Sequence, residues 1–448
     1  MYKKLCIFGL LLAILFSPLF AKQSLSLEQA LQLAKANNLG LASNAIDVAA
    51  AKRDVDTSWN LFVPSISVTL SNAGRGPGFN AATTSFTNPL TGITSDIPMG
   101  STNQGLGLSL GVSLTLNPAV KDQMDSYNLG YQIQQVTFAQ AQAEVERNVT
   151  KLYYYLLMEA ENIKVQEMNL ELALNQYEQV QTKFESGFAS EMEVLTSQLS
   201  YEQLKTPIQQ AKNQYQSNLL SLKALLGLDL AEELEVSGDI PAMVKELEVS
   251  ELREYLQKSY SLTLIDLNMA QLKSSLESNK KQALMPSLSL STSYDISAWN
   301  ESYSNTFSDS VTYSVGVRIP LDGFIPNSRT QVGLAKLEDS LDKLSLQRRQ
   351  ALQQLELGVV SKVQNLNMLA SQAELAKQSL ELTEKLYIMH MIQYESGYVS
   401  FLQLQEAQNN LVSAKQNILG LEYQYVSGLI DLLYDLNIQH TFQAKESN

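Results

Sequence analysis

The stretch Leu106 to Leu116, LGLSLGVSLTL, narrows what this chain can fold into more than any other. In an extended strand Leu106, Leu108, Leu110, Val112, Leu114 and Leu116 share one face, and Gly107, Ser109, Gly111, Ser113 and Thr115 share the other. Three further segments alternate in the same way. They are 65–71 with Ile66, Val68 and Leu70; 287–296 with Leu288, Leu290, Tyr294 and Ile296; and 311–319 with Val311, Tyr313, Val315, Val317 and Ile319. A soluble sandwich would turn the apolar face inward. Here the longest segment has the roughly 9–11 residues needed to cross a bilayer, and the second face is hydroxyl and glycine rather than charge. An apolar exterior around a wet lumen accounts for both. Lipid offers no partner for a strand edge and even the smallest barrels use about eight strands, so four strands cannot close alone. The chain must therefore oligomerise, and strand count by itself allows two copies or three. The linkers Asn72 to Gln104 and Ser297 to Ser310, rich in Gly, Ser, Thr and Asn, read as loops outside the membrane.

An unusually long helical stretch follows each second strand. Ala119 to Glu185 and Asn327 to Glu395 each run for roughly seventy residues, or about 100 Å at 1.5 Å per residue. Leu334, Leu337, Leu341, Leu344, Leu352, Leu355, Val359, Val363 and Leu366 keep the three-and-four spacing of coiled-coil knobs. The returning helices, Ser190 to Leu226 and Ser400 to Tyr434, are about half as long, and Leu41 to Leu61 or Leu262 to Ala283 supplies the missing length. Gly227 to Pro241 and a short helix from Val249 to Lys258 fall at the joint, with Leu27 to Ala36 as their counterpart. Each half reads helix, proline stop at Pro64 or Pro286, two strands and a long helical hairpin. The chain thus divides into tandem repeats over 22–236 and 237–448.

The repeat is sharpest at the hairpin bends. FESGFASEMEVLTSQ from Phe184 to Gln198 recurs as YESGYVSFLQLQEAQ from Tyr394 to Gln408. Gly187 and Gly397 each stand between two long helical segments that contain almost no other breaker, and glycine adopts the left-handed conformation of such a bend without steric cost. Each is flanked by serines, Ser186 and Ser190 or Ser396 and Ser400, and followed by an aromatic residue, Phe188 or Tyr398. One copy alone would read as an ordinary loop. Its duplication at corresponding positions points to a shared structural or docking role.

The first 21 residues have the form of a signal peptide: Lys3 and Lys4, an apolar run from Leu5 to Phe16 too short to span a membrane, and Ala21 at the cut. The single cysteine, Cys6, lies within that segment, so the mature chain has no disulfide. The formal net charge of −14, more negative still without Lys3 and Lys4, argues against a nucleic-acid partner. With two histidines, His390 and His440, and no phosphate-binding glycine loop, nucleophile elbow or metal-ligand cluster, the chain is expected to be no enzyme and to need no cofactor.

The pattern resembles the TolC-type outer-membrane efflux proteins over nearly all of the mature chain. The residues that carry the resemblance are Leu27-Glu28-Gln29-Ala30 with Asn37-Asn38-Leu39, Pro64-Ser65-Ile66 and Pro286-Ser287-Leu288. With them go Leu225-Leu226-Gly227, Ile319-Pro320-Leu321 with Asp322-Gly323, and both glycine-centred tips. The resemblance implies an α+β membrane protein, a homotrimer whose twelve-stranded β-barrel, four strands per chain, is continued by a long α-helical coiled-coil barrel through the periplasm. It also implies a passive exit duct for an efflux or type I secretion system, with outer-membrane lipid around it and a periplasmic adaptor protein and an inner-membrane pump as partners.

By the same resemblance Ser186, Gly187, Phe188, Ser190, Ser396, Gly397, Tyr398 and Ser400 form the adaptor-docking tips. Serines replace the family's small apolar residue there, and aromatics replace its leucine. The constriction and gate fall on Glu193, Tyr394, Gln403 and Glu406, where Gln403 and Glu406 stand for two pore-facing aspartates and Val399 takes the place of a latch arginine. Glu406 reads equally well as a solvated carboxylate on a helix face. A periplasmic coiled-coil scaffold or adhesin with a small β-domain is the competing reading of the whole chain.

Overall fold

The computed structural model describes residues 23–75, 83–98, 103–241, 247, 252–301 and 304–438. The expected signal peptide, 1–21, lies outside the described residues. Two compact units form, one from Met1–Val48, Gln134–Ile265 and Gln347–Asn448, the other from Ala49–Ile133 and Asp266–Leu346, so each draws on both halves of the sequence.

The second unit contains the four alternating strands. β2 (Ser65–Arg75), β5 (Asn103–Leu116), β7 (Ser287–Glu301) and β8 (Ser304–Arg318) form one antiparallel sheet in the order β2-β5-β7-β8. Register keeps the two faces distinct. Val68 pairs with Leu110, Leu110 with Tyr294 and Tyr294 with Val311, while Ser67 pairs with Gly111, Gly111 with Ser293 and Ser293 with Thr312. Ile66, Val68, Leu70, Val311, Tyr313, Val315 and Val317 are all largely exposed. The other face is built of hydroxyl pairs, with Ser65 and Ser113 Oγ 2.8 Å apart and Ser291 and Ser314 Oγ 2.7 Å apart.

The strands are longer than side-chain alternation alone predicts, and this corrects the expected loops. Backbone pairing carries on past the last apolar residue, as far as Arg75 opposite Asn103 and Glu301 opposite Ser304. A ladder bond needs only a backbone donor and acceptor, so it survives where the hydrophobic pattern ends. Most of 297–310 is therefore strand. Within 72–104 a separate hairpin also forms from β3 (Thr83–Thr87) and β4 (Thr94–Pro98). In the same unit Lys281 Nζ lies 2.8 and 2.7 Å from the two carboxylate oxygens of Asp122, and Ser274 Oγ donates to the Asp122 carbonyl.

The first unit is helical. α1 (Leu27–Asn37) is opened by a capping box in which Ser26 and Gln29 satisfy each other's backbone N–H groups. α4 (Glu191–Leu226) and α7 (Phe401–Asp435) also lie in this unit, whereas α2 (Leu39–Asp56), α3 (Val120–Glu185), α5 (Tyr260–Leu284) and α6 (Arg329–Glu395) belong partly to it and partly to the second unit. The core joins Ala30 and Ala34 of α1 to Val149, Tyr153 and Leu156 of α3 and Leu222 and Leu226 of α4. Val359, Val363 and Leu366 of α6 and Val426 and Ile430 of α7 complete it. β1 (Gln23–Leu25) runs parallel to β6 (Leu234–Val236), and the Tyr153 hydroxyl donates to the Leu25 carbonyl at 2.9 Å, with the Ser237 carbonyl also in reach.

Gly227, at φ +66°, ends α4, and a Cβ there would lie 2.4 Å from the Asn37 carbonyl oxygen, so only glycine fits this crossing. The expected helix from Val249 to Lys258 is a 3₁₀ segment over Arg253–Lys258. Residues 249–251 lie outside the described residues.

Candidate functional site

The two tips have the same bend, with matching backbone hydrogen bonds. Gly187 has φ +81° and Gly397 φ +78°, with no other atom within 4 Å of the position a Cβ would take. The Gly187 N–H donates to Phe184 O at 2.9 Å and the Phe188 N–H to Lys183 O at 2.7 Å. In the second tip Gly397 donates to Tyr394 O at 3.0 Å and Tyr398 to Gln393 O at 2.8 Å. This is a Schellman motif, which satisfies the carbonyls that a helix end leaves without partners. Ser186 and Ser396 turn their hydroxyls back into their own helices, onto Thr182 O and Ile392 O, both at 2.9 Å. The geometry leaves Phe188 and Tyr398 standing clear at 85% and 84% exposure. Met192, Leu195 and Leu199, three and four residues apart on α4, are exposed as well.

The returning helices start on matching capping boxes. Ser190 Oγ accepts from the Glu193 N–H while Glu193 Oε2 accepts from the Ser190 N–H at 2.8 Å, and Ser400 and Gln403 repeat the exchange with Gln403 Oε1. Glu193 and Gln403 are thus equivalent third residues of their helices, each held by a cap. The S-x-x-E and S-x-x-Q spacing that gives this role stands in the sequence.

Tyr394 lies within the electrostatic reach of Glu193. Burial pushes the Tyr394 hydroxyl above its ordinary range, and the charge of Glu193 pushes it in the same direction. Tyr394 also packs edge-on against the buried Phe401, ring centres 6.1 Å apart, and Lys183 Nζ sits 4.5 Å from the centre of the Tyr394 ring. Lys183 was missed in the sequence, because nothing in a single helix reveals which ring a lysine will cross. Val399 is half-buried, and Glu406 is exposed on α7, one turn beyond Gln403.

Higher in the same unit, Lys151 Nζ lies 2.7 Å from an Asp431 oxygen and Lys362 Nζ 2.5 Å from Asp435, while Arg147 stacks on Tyr434. These links join α3, α6 and α7 through charges that sequence spacing does not pair.

A sheet that is apolar on one face and hydroxylated on the other, with two long hairpins ending in twin glycine bends, defines a TolC-type outer-membrane channel protein. The chain belongs to the outer membrane efflux protein family, whose family model, described as "Outer membrane efflux protein", matches residues 30–228 and 257–434. Solved structures show the same fold. The Campylobacter jejuni CmeC outer membrane channel is 17% identical, with 92% of this chain and 85% of that one covered and a TM-score of 0.73. The Vibrio cholerae outer membrane protein VceC is 13% identical over 92% and 97%, with a TM-score of 0.70. The Neisseria gonorrhoeae MtrE channel in its open state is 14% identical over 92% and 91%, with a TM-score of 0.67. No curated protein matches the chain. The protein is one of the cell outer membrane, with its helical tunnel on the periplasmic side.

Proposed function

We propose that three copies of the chain form a passive, non-enzymatic exit duct of a tripartite efflux system. A periplasmic adaptor and an inner-membrane pump open it. The observation that carries this reading is the sheet. Its apolar face is exposed and its edge strands, β2 and β8, each have one neighbour. In lipid such edges must be paired, and pairing β8 of one copy with β2 of the next gives a closed twelve-stranded barrel from three chains. The hydroxyl face then lines a water-filled lumen, and solute passes without chemistry. Transport by a type I secretion pump uses the same duct.

Phe188 and Tyr398, held out by the glycine bends, are the surfaces offered to the adaptor. Large exposed aromatics at a rigid bend suit such docking, because they bury much area while losing little conformational freedom. Glu406 contributes one carboxylate per chain to an anionic constriction at the tunnel entrance.

The test is conductance of the purified protein in planar bilayers, with heat-modifiable migration as the assay of the folded trimer. Stable, step-wise ion currents that divalent cations block, with weaker block in Glu406→Gln, are expected. A scaffold or adhesin would conduct nothing, and an unchanged block curve would remove Glu406 from the constriction.

A further inference from the structure

The seam between the two hairpins changes chemistry along its length. Near the core it is apolar and ion-paired, with Val149 and Leu156 of α3 and Val426 and Ile430 of α7 buried in one cluster and Lys151 joined to Asp431. Toward the tips it becomes an amide ladder. Gln176 Nε2 of α3 donates to Gln408 Oε1 of α7 at 2.7 Å, and Gln408 Nε2 donates to Asn169 Oδ1 at 2.5 Å. Asn169 and Gln408 are only 5% and 4% exposed. Two helical turns back toward the core, Gln416 Nε2 donates to Asn162 Oδ1 at 2.9 Å, and Gln166 Nε2 reaches the same oxygen at 3.4 Å. On the other flank of α7, Gln405 donates to Ser200 of α4.

Spacing of seven on α3, Asn162 to Asn169, and eight on α7, Gln408 to Gln416, puts these amides where an antiparallel coiled coil would carry its buried knobs. Buried amides at such positions fix register, because any slip leaves donors and acceptors without partners. They also give the seam a second property. When an apolar seam parts it exposes hydrocarbon to water, whereas amides that part exchange their partners for water, so a polar seam separates at lower cost.

We infer that the Asn169–Gln176–Gln408 cluster, continued by Asn162–Gln416, is the line along which the two hairpins separate when the tunnel opens. The apolar and ion-paired region nearer the core acts as the pivot that stays closed. The amides are positioning residues: they hold the closed register through hydrogen bonds and release it without exposing apolar surface. The inference rests on the channel reading above.

Single-channel recording on full-length protein tests it with two opposite double variants. Asn169→Leu with Gln408→Leu makes the seam apolar. Its folded trimer should melt no lower than wild type, yet open at least about tenfold less often, a bias of about 1.4 kcal/mol toward the closed state. Asn169→Asp with Gln408→Glu sets two carboxylates face to face and should raise open probability by a similar factor, with heat-modifiable trimers still formed. Amides that served register alone would leave opening unchanged in both variants, and that result would overturn the inference. If the leucine pair fails to assemble, the carboxylate pair decides alone. Absence of any conductance from wild-type trimers would sink the channel reading itself, whereas wild-type conductance with unaltered variants would sink only the seam.

Discussion

At the residue scale, Gly187 and Gly397 show how a bend is specified without packing. No atom lies within 4 Å of either Cβ position, so their only demand is backbone conformation. Alanine at either position should therefore cost about 1–2 kcal/mol through left-handed strain alone, and asparagine less, because its side chain tolerates that region. The expected outcome is faster amide hydrogen exchange at 183–190 or 393–400, with the barrel and the core around Tyr153 unaltered. Exchange that also rose in the core would show that the bends carry more than local structure. The glycines were legible in the sequence because duplication made them conspicuous. The cap role of Glu193 and Gln403 was legible too, in the S-x-x-E and S-x-x-Q spacing. Lys183 was not legible, since its contact with Tyr394 joins residues far apart in the chain.

At the element scale, the start of α4 depends on a single serine–glutamate exchange. Ser190→Ala removes the side-chain acceptor for the Glu193 N–H and should cost about 1 kcal/mol. Fraying should be confined to the first turn of α4, visible as lost protection at 191–194, while Ser190→Asp should restore it. Loss of helix throughout α4 would show that the cap nucleates the whole element. Long elements were the easiest to read. Val120–Glu185 and Arg329–Glu395 fall within two residues of their expected bounds, because no proline interrupts either between proline- or asparagine-bearing starts and glycine ends. Strand ends were harder, because ladder bonds outlast hydrophobic alternation. The β3–β4 hairpin was hidden for a related reason: Thr83–Thr87 and Thr94–Pro98 carry little apolar periodicity, and only their backbone pairing reveals them.

At the scale of the whole molecule, the two faces of the sheet assign opposite consequences to one substitution. Val315 is 72% exposed on the apolar face and its neighbour Ser314 lies on the hydroxyl face. A lysine in place of Val315 meets lipid, at a cost of about 2–4 kcal/mol near the bilayer midplane, and should lower the yield of heat-modifiable trimer in the outer membrane. A lysine in place of Ser314 meets water, should assemble normally, and should shift reversal potentials toward anions. Equal assembly of the two variants would contradict the assignment of the faces. The separation of an apolar from a hydroxyl face was legible in period-two alternation. Closure was not, because the four-stranded sheet of one chain leaves β2 and β8 with one neighbour each, and the pairing of those edges is not written in the alternation.

The open edges at β2 and β8 also have a genetic consequence. A strand edge cannot distinguish a sound neighbour from a damaged one if the backbone it offers is intact. An allele whose tips fail to dock but whose sheet still pairs would enter rings alongside normal chains. Most mixed rings would then hold at least one faulty chain, so such an allele should be dominant, while an allele that abolishes the sheet should be recessive.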